Sequence, residues 1–455
     1  MDNLSEEAVE KKELVESIKF MIMNGKDSMI QSVLADIHHP ADTAEILAEM
    51  DENERMYLFR LFDTERRGEV LVELDGEIQK SIVENLNLKD LSEIIEGLES
   101  DDIVGLLKEI PVKKSIELLN YIDPKEAYKI RNQLNFQENT AGQLMSYDYA
   151  VVNENDKASK ATQKVRRAAR NIENLYLVYV TDDSGVLKGI IKLQDMFLSP
   201  SSWKISKIME PIKSIHYNTD QEEVARFFIK YDYISAPVVD DNEKLIGRIT
   251  VDDILDIVEE EAAEDILLMG GISEDEKLST PIYQSVKKRT SWLHVNLVTA
   301  VLAAWVVSFF EDTIQKIVVL ASLMPIVAGM GGNAGTQTIT LIVRNIATGE
   351  LSNHNWHNAV KKEFIVGLMN GLIIGSVTAI IAFIFKKNIA LSAVIGLAMF
   401  INLIVAGVVG SSIPLVLNYL KIDPAIASSI FVTTCTDVFG FFCFLGLATL
   451  FINFL

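Results

Sequence analysis

The last third of this sequence is nearly free of charge over runs too long for a soluble core. From Thr290 to Leu455 there are seven Lys or Arg and six Asp or Glu, a net charge of +1. A bilayer core needs about 20 apolar residues in helical form. Five segments meet that length: 291–310, 314–343, 359–385, 389–420 and 424–455. The region is therefore expected to be an α-helical membrane domain (290–455) with five transmembrane helices per subunit. Several segments exceed the minimum, which predicts tilt or kinks. Basic residues flanking the spans set orientation. With the N-terminus inside, the inner side receives Lys287, Lys288, Arg289, Arg344, Lys361, Lys362 and Lys421, and the outer side only Lys316, Lys386 and Lys387. The expectation is a multi-pass protein of the cell membrane, its N-terminus cytoplasmic and its C-terminus outside.

The whole chain carries −22, so residues 1–289 carry −23. Nucleic-acid binding needs a basic footprint, so that class is excluded. An acidic surface serves solubility or attracts cations, and the charge alone does not choose between them. The first residues, MDNLSEEAVEKKELVES, hold no apolar signal-peptide core, and the acidic half is expected to stay in the cytoplasm. Cys435 and Cys443 lie in an apolar run and fit packing in a reducing setting, not a disulfide framework.

Two patterns divide the acidic half. Up to residue 139, apolar residues recur at helical spacing, as in AEILAEM, YLFRLF and IVENL. Stacked helix pairs and a compact bundle both fit. From about Thr140 a repeat begins. GQLMSYDYAVV is echoed by SKIMEPIKSIHY, and YLVYVTDDSGVLKGIIKLQDMF by ISAPVVDDNEKLIGRITVDDIL. Met145 matches Met209, Gly189 matches Gly247, and Asp195 matches Asp253. Each unit reads strand, helix, strand, Gly-containing hairpin, strand, helix. This resembles an α/β tandem CBS pair, at 140–204 and 205–258, and such pairs often sense nucleotides or ions. No residue here names a nucleotide. A connecting helix is expected over 259–289, with Glu261, Glu264 and Asp265 on one face. Either cations neutralise that face or it is a solvated acidic linker.

Two features of the apolar half suggest ion passage. Asp437, in IFVTTCTDVFGFF, lies deep within the fifth segment. A carboxylate there is costly, and faces water or a partner group. Thr433, Thr434 and Thr436 add oxygens beside it. Mg2+ prefers oxygen ligands, sheds water reluctantly and is often held by one or two carboxylates. A structural Asp hydrogen-bonded to a neighbouring helix is the competing reading. The second feature is MPIVAGMGGNAGTQTITLIVRNIATG, residues 324–349. Pro325 and the glycines permit a broken helix or a closely packed one, and Gly332, Asn333, Thr336 and Gln337 put polar groups at mid-membrane.

PIVAGMGGNAGTQ, followed by TLIVRNIATGEL, and TTCTDVFGFF resemble the MgtE family of Mg2+ channels. The resemblance covers the full length: acidic helical N-domain of superhelical type, tandem CBS, connecting plug helix and five spans. It implies a homodimer in the bilayer, with the pore on the two-fold axis and Asp437 binding the hydrated ion. It implies Mg2+ as both substrate and regulatory ligand, and no enzyme activity. The implied regulatory carboxylates are Glu69 and Asp101 in the N-domain. In the second CBS unit they are Asp220, Glu222, Asp232, Asp253 and Asp256. In the plug they are Glu261, Glu264 and Asp265, with Asp423 meeting the plug. Cytoplasmic Mg2+ would bridge them and lock the pore shut. The chain departs from the family pattern at Gly105, at Ser429–Ile430 and at Phe439.

The physical logic is the same without the family. Bridging sites that exist only in a compact state make a ligand favour that state. No GxxxxGK[ST] motif occurs, which argues against a P-loop-powered pump. The alternatives are a CBS-regulated transporter of another divalent cation, such as Mn2+ or Co2+, and a membrane-anchored ion sensor. Oxygen-lined sites accept several divalent ions.

Overall fold

The structure is a computed structural model describing residues 2–454, except 171, 173, 274, 275, 279, 352–354 and 427. It divides into two units, 1–257 and 258–455.

Ten short helices begin the first unit: α1 (Asp2–Met23), α2 (Asp27–Ala35), α3 (Pro40–Ala48), α4 (Glu52–Leu61), α5 (Thr64–Val72), α6 (Gly76–Asn85), α7 (Leu88–Ile95), α8 (Ser100–Glu109), α9 (Val112–Leu118) and α10 (Pro124–Leu134). Polar residues start them. Asp51 forms a capping box with Glu54, and Asp63 and Asn87 accept from Arg66 N and Asp90 N. Helices pack on the one two places further along: α3 on α5, α4 on α6, α5 on α7, α6 on α8, α7 on α9. That pairing makes a superhelical stack, and so decides against a closed bundle. Leu58, Leu71, Ile82, Leu91, Ile95 and Leu107 form its continuous core.

The repeat folds twice into one topology. The first copy contains α11 (Ala141–Leu144), β1 (Val151–Asn153), α12 (Ala158–Ala168), β2 (Leu177–Thr181), β3 (Leu187–Lys192) and α13 (Leu193–Leu198). The second contains β4 (Ile215–His216), α14 (Gln221–Tyr231), β5 (Ser235–Val239), β6 (Leu245–Thr250) and α15 (Val251–Met269). In each sheet the first strand runs parallel to the second and the second antiparallel to the third.

The repeats exchange their leading segments. Ala141 and Met145 are buried with Ile215, Val224 and Ile249 of the second copy, while Ile205 is buried with Val152 and Val180 of the first. Gly247 is required because a side chain there would collide with Met145, and Gly189 because one would collide with the Glu210 carbonyl. The sequence showed Met145 and Gly247 as separate repeat marks. The fold makes them one contact.

In the second unit, α16 (Ile282–Ser308), α19 (Trp356–Lys386), α20 (Ile389–Tyr419) and α21 (Ser428–Leu450) are long and apolar enough to cross a membrane. The second of the five expected spans does not reach that apolarity. α18 (Val319–Ala347) has the length, but glycines, Asn333, Thr336 and Gln337 dilute it. The segment expected from 314 is also interrupted: α17 (Glu311–Lys316) precedes α18, and Ile317 between them is not helical. Pro325 does not break α18, which is helical throughout, and Gly331 and Gly335 serve close packing. The expected connecting helix over 259–289 is also not single. Its start belongs to α15 and its end to α16, with Gly271 at φ 71° in the turn that ends α15.

Helices α19 and α20 pair through small residues. Gly367, Gly371 and Gly375 face the backbone of Leu403, Phe400 and Gly396, and Gly407 faces the carbonyl of Glu363. A side-chain carbon at Gly371 would lie 2.8 Å from the Phe400 carbonyl oxygen. Gly371→Leu is expected to separate the pair and to lower the thermal midpoint of the detergent-solubilised protein by several degrees, about 1–3 kcal/mol of overpacking.

Candidate ion pathway and regulatory carboxylates

α18 and α21 lie side by side. A side-chain carbon on Gly332 would sit 3.8 Å from Thr433 Cγ2, and one on Gly335 would collide with Val432. Thr436 is fully buried between the helices. Outward from this seam, Asn333, Thr336, Gln337 and Thr433 are exposed and Asp437 is half-buried. The two helices thus present a polar stripe along the seam, flanked by exposed Ile326, Phe431 and Phe439.

The hydroxyls of the stripe are anchored. Thr336 donates to Gly332 O at 3.0 Å, Thr433 to Ser429 O at 2.7 Å and Thr434 to Ile430 O at 2.7 Å. Each spends its proton on its own helix and keeps oxygen lone pairs for an outside donor or cation. Asp437 has no hydrogen-bond or ion-pair partner among the described residues. The reading of Asp437 as a carboxyl tied to a neighbouring helix therefore has no contact to support it.

At the end of this seam, Leu268 of α15 is buried against Ile339 and Val343 of α18 and Val432 of α21. Ser429 donates to the Met269 carbonyl at 3.0 Å and so satisfies an orphan acceptor at the end of α15. Ser429 is one of the departures from the family pattern. Asp423 accepts from Ala425 N at 2.7 Å and turns the chain into α21. A cavity of about 400 Å³ opens beside this junction, lined by Gly270, Arg289, Trp292, Ser429 and Thr433 among others.

The soluble unit brings together only some of the expected regulatory carboxylates. Burial first, and then the charges of Asp253, Asp102 and Glu99, hold the Asp101 carboxyl well above the usual carboxylate range. Its Oδ1 is enclosed and has no hydrogen-bond partner. Asp253 is also raised, mainly by burial, against the pull of Thr250, whose backbone N–H donates to it at 3.1 Å. The N-domain thus meets the second CBS copy through two crowded carboxyls. Glu99 and Arg248 close the same junction with a buried ion pair at 2.8 Å. Nothing in the charge pattern singled out those two residues, because their pairing spans 149 positions.

The other expected carboxylates have local duties. Glu69 pairs with Arg66 at 3.1 Å, and Glu222 pairs with Arg226 at 2.5 Å. Asp220 caps α14, and Asp232 ends it at φ 51°. Asp256, Glu261, Glu264 and Asp265 all have interactions of their own. Among the described residues, no three His, Cys, Asp or Glu side chains cluster closely enough to hold a metal. The regulatory set is dispersed within one chain.

Three family models match: MgtE intracellular N domain over 38–139, CBS domain over 141–200 and 205–260, and MgtE, a divalent cation transporter, over 324–447. The magnesium transporter MgtE of Bacillus subtilis is 30% identical over 442 residues, 97% of this chain and 98% of the relative. The chain belongs to the MgtE family of magnesium transporters. The MgtE of Thermus thermophilus is 34% identical over 319 residues, 69% of this chain and 70% of that one. A crystal structure of the cytosolic domain of the Mg2+ channel MgtE in complex with ATP superposes with a TM-score of 0.51 at 31% identity, covering 53% of this chain and 99% of that one. A second soluble part of a magnesium transporter shares the fold, with a TM-score of 0.51 at 24% identity, covering 56% of this chain and all of its own. Members of this family are membrane transporters or channels, not enzymes, so this chain is a multi-pass membrane protein.

Because the fold raises the pKa of Asp101 and Asp253, it favours their neutral forms. Their contribution to stability is complete below the unfolded carboxylate value of about 4 and fades as pH rises through the raised values. With divalent ions chelated, the protein is expected to melt higher at pH 5 than at pH 7.5. Asp101→Asn is expected to raise the pH 7.5 midpoint and flatten that dependence, as read by calorimetry in EDTA. An unchanged slope would show that the fold does not hold Asp101 toward its neutral form.

Proposed function

We propose that this chain is a Mg2+ channel that mediates Mg2+ uptake as a homodimer. The observation that carries the reading is the polar stripe of α18 and α21 with partnerless Asp437 in it. Lipid cannot solvate such a stripe. Facing a second copy across a two-fold axis, it would line a hydrated passage with one Asp437 from each chain. Two carboxylates and threonine oxygens suit an ion that keeps its inner water shell. In that arrangement α18 is the second of five spans, dilute in apolar residues because one face meets water. The N-terminus is cytoplasmic and the C-terminus outside.

Cytoplasmic Mg2+ closes the pore in this reading. The crowded Asp101–Asp253 junction is the clearest place for a divalent ion, since a cation relieves the repulsion between the two carboxyls and offsets their burial. Asp220, Glu222, Asp232, Asp256, Glu69, the α15 acids and Asp423 join the set only when domains or chains approach. The end of α15, seated between α18 and α21, is the stopper. A homologous cytosolic domain has been crystallised with ATP, which makes a nucleotide in the CBS clefts a second ligand to test.

Asp437→Ala is expected to abolish Mg2+ uptake into proteoliposomes while the protein still folds and dimerises. Near-normal flux would remove Asp437 from the pathway. Deleting residues 1–135 is expected to weaken inhibition by Mg2+ on the N-terminal side, measured as a shift of the inhibitory concentration to higher values. Unaltered inhibition would take the N-domain out of the sensor.

A further inference from the structure

Asn402 stands in the middle of α20, the most apolar helix of the chain, and only 1% of it is exposed. Its Nδ2 donates to the Val327 carbonyl of α18 at 3.0 Å. Its Oδ1 is enclosed and has no hydrogen-bond partner. Turning the amide over would aim oxygen at oxygen, so the Val327 carbonyl fixes which atom faces it. The amide fills a slot that two glycines open. A side-chain carbon on Gly440 of α21 would lie 2.7 Å from Nδ2, and one on Gly331 of α18 would lie 3.1 Å from Cγ. The same added carbon on Gly331 would meet Thr436 Cβ at 3.2 Å.

Three helices therefore meet on one amide. Gly331 lies two residues before Asn333, and Gly440 three residues after Asp437. Either glycine is within a helical turn of the stripe that its own helix carries. A leucine would fill this slot with no unpaired acceptor in an apolar surrounding. Keeping an amide there costs stability, and what it adds is direction. Packing between apolar helices slides readily by a methylene, whereas a hydrogen bond to a single carbonyl does not.

We propose that Asn402 is the positioning residue of the ion pathway: its hydrogen bond pins α20 to α18 and its amide seats α21 at Gly440, and together these set the spacing between the α18 polar groups and Asp437, on which discrimination among divalent ions depends. The discrimination rests on the reading of Asp437 as the pore carboxylate. The register does not.

The test uses full-length protein in liposomes. Asn402→Ala and Gly440→Ala, which pushes the amide off Val327, are each expected to cut Mg2+ flux about three- to tenfold, the range of one interhelical hydrogen bond in a membrane. Both are also expected to narrow the Mg2+-over-Ca2+ flux ratio. The double variant Asn402→Ala/Gly440→Ala returns volume without the donor and is expected to stay impaired, whereas Asn402→Ser, which keeps a donor, restores part of the ratio. A double variant with wild-type flux and ratio would make Asn402 a space-filler and overturn the proposal. Register is read separately by the rate of disulfide formation between Gly332→Cys and Thr433→Cys in a Cys435→Ser/Cys443→Ser background. Asn402→Ala is expected to slow it severalfold, and an unchanged rate would overturn the positioning role. Asp437→Ala with full flux would sink the pore reading while leaving the cross-linking result intact.

Discussion

A carboxylate with no partner on a membrane helix is the constraint from which the membrane half follows. Burying an unpaired charge in hydrocarbon is so unfavourable that the helix bearing it must turn that face to water or to protein. The Asp437 carboxyl has no hydrogen bond or ion pair among the described residues, and further along the same seam stand Thr433 on its own helix and Asn333, Thr336 and Gln337 on the next. All lie on one outward face. The opposite sides of the same helices are conventional apolar packing, with Leu323, Val327, Phe444 and Leu445 buried together.

Close approach is what keeps that face in order. Glycines at 331, 335, 410 and 440 remove the side chains that would hold α18, α20 and α21 apart. In lipid, such contacts and hydrogen bonds replace the hydrophobic drive that assembles soluble helices. The buried Asn402 amide adds a directional bond where dispersion alone would allow sliding. Ser429, reaching the last turn of α15, joins the same seam to the connecting segment.

The soluble unit shows the same electrostatic problem in another medium. Asp101 and Asp253 are crowded at the junction of the helical stack with the second CBS copy, and nearby Arg248 is already engaged by Glu99. A guanidinium holds one side of the junction, while burial and crowding press the two carboxyls toward their neutral forms.

Much of this was legible in the chain itself. Apolar runs fixed which segments are long helices, because a bilayer sets their length. The twice-repeated order of strands and helices was visible, because alternation and turn residues are local signals. Asp437 stood out as a lone charge. Other features depend on residues far apart in sequence. Pro325 and four nearby glycines fitted both a broken helix and a tight one, and only the neighbours of α18 decided for the tight one. The swap of leading segments between CBS copies hides in the repeat, since either copy offers Met145 an equivalent slot. Glu99 with Arg248, and Asn402 with Gly331 and Gly440, are pairings that local sequence cannot carry. Periodicity reports which face of a helix is apolar. Which partner fills that face is settled by three-dimensional packing alone.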